Sequence, residues 1–74
     1  MTLTEEKKQE LIKSFVAKYS TESLLAQYQQ ELRYLDEVEN PIQTYQKERG
    51  IDLMQFLDIL WESYVIKKNE MPSM

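Results

Sequence analysis

The sequence predicts an all-α protein, a compact bundle of three long helices plus one short helix with antiparallel neighbours. One glycine and two prolines among 74 residues are too few for the tight turns of a multi-strand β protein. Glu, Leu, Lys and Gln, which lose little rotamer freedom in a helix, are the most frequent residues. Apolar residues also recur at intervals of three and four, as on one face of a helix.

The small size of the chain limits how it can be stabilised. Seventy-four residues form at most one domain, and without cysteine no disulfide or thiolate–zinc site can contribute. The remaining sources of stability are well-packed helices and apolar surface shared with a second chain. We therefore expect a single helical domain over residues 1–68, followed by a frayed tail over 69–74.

The net charge of −4 is unevenly distributed along the chain. Residues 21–62 contain nine acidic residues against three basic ones, whereas each flanking segment has a net charge of +1. An acidic middle repels phosphate, so nucleic acid is an unlikely partner and a basic protein surface is a better one. No secretory signal is recognisable and no apolar run exceeds three residues, which predicts a cytoplasmic protein without a membrane span.

The first two helices are predicted to be separated by a short polar break. Helix 1 should begin at Thr4 or Glu5, capped by Thr4 or by a capping box from Thr2, and should end at Tyr19. A change in the phase of the apolar residues favours a new helix capped by Ser20 or Thr21. A single long, bent helix remains the alternative.

The next boundaries follow from turn residues. Helix 2 should run to about Glu39, with a narrow apolar seam. Helix 3 should be short, from Pro41 to about Arg49, with Asn40 as its N-cap. Gly50, the only glycine, is expected in the left-handed conformation that ends a helix. The residues of the seam are Leu25, Tyr28, Leu32 and Leu35.

Helix 4 is predicted to be the centre of the bundle. Asp52 should cap it in a capping box with Gln55, and lysines close it at Lys68. Large apolar residues cover half of its circumference, and Ile59 and Ile66 lie beyond a narrow polar strip on the other half. The polar strip contains Gln55, Asp58 and Glu62.

This surplus of apolar surface predicts where the protein meets a partner. Three short helices cannot easily surround helix 4, so we expect Ile59, Ile66 and Trp61 to form a homodimer seam or a partner-binding site. The alternative is that these residues cap the core of the monomer from the side. Tyr34 points away from the seam of helix 2 and is the best candidate for an exposed contact. Asp36, Glu37 and Glu39, aided by Glu31, are a candidate acidic docking patch. Solubility, or contact with the N-terminus of helix 3, is the favoured interpretation of these acids.

Catalysis has little basis in this sequence. There is no histidine, no cysteine and no glycine-rich phosphate loop, so we predict no enzyme, cofactor or metal site; Asp58 and Glu62 alone are a weak metal signal. The leading hypothesis is a small non-enzymatic regulator or inhibitor that binds a protein. One alternative is a DNA-binding regulator with a helix-turn-helix at 41–66, although helix 4 is acidic and apolar. Another is an immunity-type bundle.

Overall fold

Four helices make up the computed structural model, which describes residues 3–70. The three long helices and the short one confirm the predicted all-α class. None of the described helices is both long enough and apolar enough to cross a membrane. Their bounds are α1 Glu5–Lys18, α2 Thr21–Glu37, α3 Pro41–Arg49 and α4 Leu53–Glu70.

Two hydroxyl caps define the first half of the chain. The Thr4 hydroxyl accepts a hydrogen bond from the Lys7 N–H at 3.2 Å, which starts α1; Thr2, the other candidate cap, lies outside the described residues. The Ser20 hydroxyl accepts from the Ser23 N–H at 3.1 Å and starts α2. Tyr19 and Ser20 have extended backbones. The alternative of one long bent helix is therefore wrong.

Left-handed backbone conformations frame α3. Gly50 has φ of +75°, which confirms its predicted role as the C-cap. Asn40 precedes α3 as predicted, but it has φ of +53° and its side chain makes no capping hydrogen bond. Asparagine is one of the few residues that tolerates this conformation, which turns the chain sharply between α2 and α3. The turn begins earlier than predicted, since α2 ends at Glu37 and not at Glu39.

The start of α4 differs from its prediction in one respect. Asp52 caps the helix, because its carboxylate accepts from the Met54 N–H at 2.8 Å. Gln55 does not complete a capping box: its Oε1 accepts from the Leu3 N–H at 2.9 Å and its Nε2 donates to the Leu3 carbonyl at 3.4 Å. The helix also continues to Glu70, beyond the predicted end at Lys68, whereas residues 71–74 lie outside the described range.

The other three helices all pack against α4. Contacts of Leu3 with Gln55 and of Val16 with Lys67 show that α1 runs in the same direction as α4. Tyr28, early in α2, contacts Trp61, and Leu35, late in α2, lines the same groove as Met54 at the start of α4, so α2 is antiparallel to α4. Consecutive helices α1 and α2 therefore run in opposite directions. Because α1 and α2 lie on different sides of α4, the molecule is thin, with dimensions of 43 × 27 × 14 Å.

Contact with α1 corrects the prediction for Ile59. This residue is fully buried, although the sequence placed it on a surplus outer face of α4. The polar strip of α4 lies along the edge of its contact with α1: Lys8 pairs with Asp58 and Glu62, although both carboxylates stay partly exposed. Ser63 is also fully buried. Its hydroxyl is satisfied within α4, because it donates to the Ile59 carbonyl at 2.7 Å.

Ile59→Ala is predicted to destabilise the protein by about 2–5 kcal/mol, since it removes buried methyl groups and leaves a cavity. Ile66→Ala is the matched control, because Ile66 is 38% exposed and loses less burial. Urea denaturation followed by circular dichroism measures both free energies of unfolding. Equal losses for the two variants would contradict this assignment of Ile59 to the core.

Candidate protein-binding surfaces

The predicted partner-binding residues do not form one surface. Trp61 and Ile66 are exposed, at 45% and 38%, but Ile59 is buried. The predicted acidic patch is also divided: Asp36 and Glu37 are exposed at the end of α2, whereas Glu31 is only 7% exposed.

A groove between α2 and α4 brings together most of the exposed apolar surface. We name it the α2/α4 groove; its volume is about 260 Å³. Three of its side chains are unusually exposed for their type: Met54 at 54%, Trp61 at 45% and Leu32 at 38%. The groove is lined by Tyr28, Leu32 and Leu35 from α2 and by Met54, Leu57, Asp58 and Trp61 from α4.

Aromatic contacts hold Trp61 at one end of this groove. Its ring lies 5.2 Å from that of Tyr28 and 5.5 Å from that of Tyr64, measured between centroids, with both pairs tilted. Such contacts restrict the indole while leaving nearly half of the residue accessible. A large side chain that is already ordered loses less entropy when a partner covers it.

Leu32 and Met54 were missed as candidate contacts by sequence reasoning. Leu32 lies on the seam of α2, and Met54 lies at the edge of the apolar half of α4, so both were expected to be covered. One available signal was the spacing of Met54 and Trp61, which are two helical turns apart on the same side of α4. Sequence alone does not reveal that α2 covers only part of that side.

Ile66 belongs to a second groove, between α1 and α4. This groove has a volume of about 510 Å³ and an apolar floor that includes Ile12 and Val16. Charges of both signs surround it, from Lys13, Lys67 and Glu70. The Lys67 ammonium donates to the Val16 carbonyl at 2.8 Å and so joins the two helices across the groove. Ile66 and Trp61 therefore lie in different grooves of α4.

Asp58 and Glu62, the two carboxylates considered above as metal ligands, both pair with Lys8. Its ammonium pairs with Asp58 and lies 3.2 Å from a Glu62 oxygen. Hydrogen bonding to Asp58, and then to Glu62, raises the pKa of Lys8, so the ion pair persists over the ordinary pH range. Within residues 3–70, no group of three or more acidic, histidine or cysteine side chains is placed to hold a metal ion.

Packing of α3 on α2 buries one predicted contact residue and partly covers another. Tyr34 is half-buried: its ring meets that of Tyr45 edge-on at 5.3 Å, and its hydroxyl donates to Glu48 at 3.2 Å. Burial, followed by that hydrogen bond, raises the pKa of Tyr34. Glu31 is buried on the same side of α2. The prediction of an accessible Glu31 was wrong, because α3 packs on this side of α2. Tyr34 is less exposed than predicted, but part of its surface stays accessible, so its role as a contact remains a prediction.

Glu31 and Tyr45 form a buried polar pair. Burial, followed by hydrogen bonding to the Glu31 carboxylate, raises the pKa of Tyr45. The second carboxylate oxygen of Glu31, Oε2, is buried and accepts no hydrogen bond from the described residues. The Arg49 guanidinium lies over the Tyr45 ring, 5.2 Å from its centroid. The pair therefore links α2 to α3 but leaves a buried carboxylate incompletely satisfied.

Tyr45→Phe is predicted to lower the free energy of unfolding by about 1–3 kcal/mol, since it removes the buried hydroxyl on which the Glu31 carboxylate acts. Tyr45→Phe combined with Glu31→Met should recover part of that loss, because both polar groups are replaced by apolar ones. Urea denaturation of the two single variants and the double variant measures the coupling. Strictly additive losses would show that the pair does not interact.

The same pair predicts an alkaline loss of stability. An unfolded tyrosine ionises near its ordinary pKa of about 10, whereas Tyr45 in the folded chain resists ionisation because its pKa is raised. The stabilisation from Tyr45 is therefore complete below about pH 10 and declines above it. Denaturation between pH 8 and pH 11 should show a smaller decline for Tyr45→Phe than for the parent. Parallel curves would contradict this role for Tyr45.

Comparison of the chain with protein-family models, curated proteins and solved structures gives no match. The two grooves and the buried pair are therefore the features on which a function can be argued.

Proposed function

We propose that this chain is a small non-enzymatic regulatory or inhibitory protein that binds a protein partner through the α2/α4 groove. The observation that carries the proposal is the shared exposure of Leu32, Met54 and Trp61 along one groove. A clustered apolar surface of this kind is more typical of an interaction site than single exposed apolar residues are.

The residue types of the groove support this role. Tryptophan is enriched among residues that dominate binding energy, and methionine is enriched at interfaces, where its flexible thioether adapts to different shapes. Asp36 follows Leu32 by one helical turn and so lies on the same side of α2. Asp36 thereby keeps its proposed part in binding, while Glu37 lies further around the helix.

Other classes of function receive less support. A recognition helix must leave one face free to enter DNA, yet α4 is packed on two sides, and its remaining surface presents Met54, Asp58 and Trp61. An enzyme receives less support because the chain lacks histidine, the commonest general base, and cysteine, the strongest side-chain nucleophile. An immunity-type bundle would also bind a protein and is a special case of the proposal.

A photocrosslinking residue at Met54 tests the proposed function in the native cell. We expect a protein to be captured from position 54, because this side chain is the most exposed large apolar residue of the described chain. The same crosslinker at Ile66, in the other groove, is the matched control and should capture little of that protein. Capture from Ile66 but not from Met54 would contradict binding through the α2/α4 groove.

The variant Leu32→Ser tests whether capture from position 54 depends on the α2/α4 groove. This change should abolish capture from position 54, whereas Ile66→Ser should leave it intact, since both residues are 38% exposed but only Leu32 lines the groove. Circular dichroism should show unchanged helix content in both variants. A captured product of twice the chain mass would identify a second copy as the partner.

A further inference from the structure

We infer that the occupant of the α2/α4 groove is a single amphipathic helix of another protein, with basic residues beside its apolar face. This inference rests on the proposed function and adds the shape and charge of the partner. Four features carry it: the dimensions of the groove, the backbone available beside it, the thinness of the molecule and the charges of the helices that form the groove.

The groove has the length of two helical turns. On α2 it extends from Tyr28 to Leu35, and on α4 from Met54 to Trp61. Seven residues of helix advance by about 10 Å, so the groove matches an apolar stripe with anchors at positions i, i+3 or i+4, and i+7. A partner helix needs only two such turns to contact the exposed apolar residues of both walls.

The backbone around the groove favours a helix over an extended segment. Both walls are helices, whose N–H and C=O groups bond within the helix, and residues 3–70 contain no β-strand. An extended peptide would find no sheet edge and would leave its own backbone groups without partners. A helix satisfies its backbone internally and can bury an apolar face here.

The thin shape of the molecule also favours a helix as the occupant of the groove. The described chain is 14 Å across in its smallest dimension, with α1 and α2 on different sides of α4. Small domains bury apolar faces most completely when elements form two packed layers. A helix seated over Leu32, Met54 and Trp61 would add a second layer where the chain itself provides none.

Negative charges beside the groove favour a partner with basic residues. Asp58 lines it, and Asp36 lies one turn beyond Leu32 on the same side of α2. Of the four acidic residues of α2, Glu31 is buried, so three carboxylates and Arg33 contribute to the surface charge of this helix. Lys8 pairs with both Asp58 and Glu62, which leaves one excess negative charge in that group. Lysine or arginine on the flanks of the partner helix would complement these carboxylates.

The same charges disfavour a second copy as the occupant. Two copies meeting through one surface make a symmetric contact, in which each groove faces the other. Asp36 and Asp58 of one copy would then approach the acidic residues of the other, and like charges in a contact reduce affinity. The apolar surface could be shared, but the charges would remain opposed.

A display library of amphipathic helices tests the inference with the intact chain as bait. The apolar face is kept constant, and the flanking positions are randomised equally among Lys, Glu and Gln. We expect selected helices to contain more Lys than Glu at these positions. Trp61, the only tryptophan and a residue of the groove, provides the binding signal through its fluorescence.

Variants then locate the bound helix. Leu32→Ser should weaken binding of a selected helix by about tenfold, whereas Ile66→Ser should change it by less than about twofold. Replacing the flanking lysines of that helix by glutamate should weaken binding by about tenfold, and added salt should reduce that difference. These results together would support a basic helix in this groove.

Three outcomes would overturn the inference. Enrichment of Glu, or no bias, would contradict the proposed charge, and selection of no helix would contradict the proposed shape. Self-association in sedimentation that Leu32→Ser abolishes would identify a second copy as the occupant. In each case, capture of another protein or a second copy from position 54 would leave the proposed function standing. Absence of that capture would refute the proposed function itself.

Discussion

Packing of α4 between α1 and α2 is the constraint on which the rest of the structure depends. A helix that is apolar around most of its circumference must be covered on more than one side. The contact with α1 combines buried Ile59 with polar bonds from Leu3 to Gln55 and from Lys8 to Asp58 and Glu62. These polar partners set the register of α1, since a shift along α4 would separate several of them together.

The short helix α3 determines which surfaces remain available for binding. It packs near the start of α4 and against α2, where Tyr45 contacts Phe56 and Tyr34. Glu31 is thereby buried and Tyr34 is partly covered. The surface of α2 toward Leu32 and the surface of α4 toward Trp61 have no such cover, which leaves the α2/α4 groove open.

The two grooves differ in what they could bind. The α1/α4 groove has the larger volume, but it is bordered by charges of both signs and bridged by the bond from Lys67 to Val16. The α2/α4 groove is smaller, holds the two most exposed large apolar residues, Met54 and Trp61, and has acidic residues beside it. Apolar exposure and an excess of negative charge together make the smaller groove the better candidate for a specific partner.

Local sequence determined the helices themselves. The helix boundaries depend on residues close in the chain: a hydroxyl cap at Thr4 or Ser20, a proline after Asn40 and a glycine at position 50. Each of these acts through its own backbone or the next few residues, so its effect can be predicted without the fold.

Tertiary structure alone decided which faces of the helices are covered. The positions of Ile59, Ile66 and Trp61 around α4 were predictable, but the side occupied by each neighbouring helix was not. The strip of Asp58 and Glu62 was equally compatible with water and with Lys8 from α1, because a carboxylate can be satisfied by either. The burial of Ile59 and the exposure of Leu32 and Met54 followed from that choice.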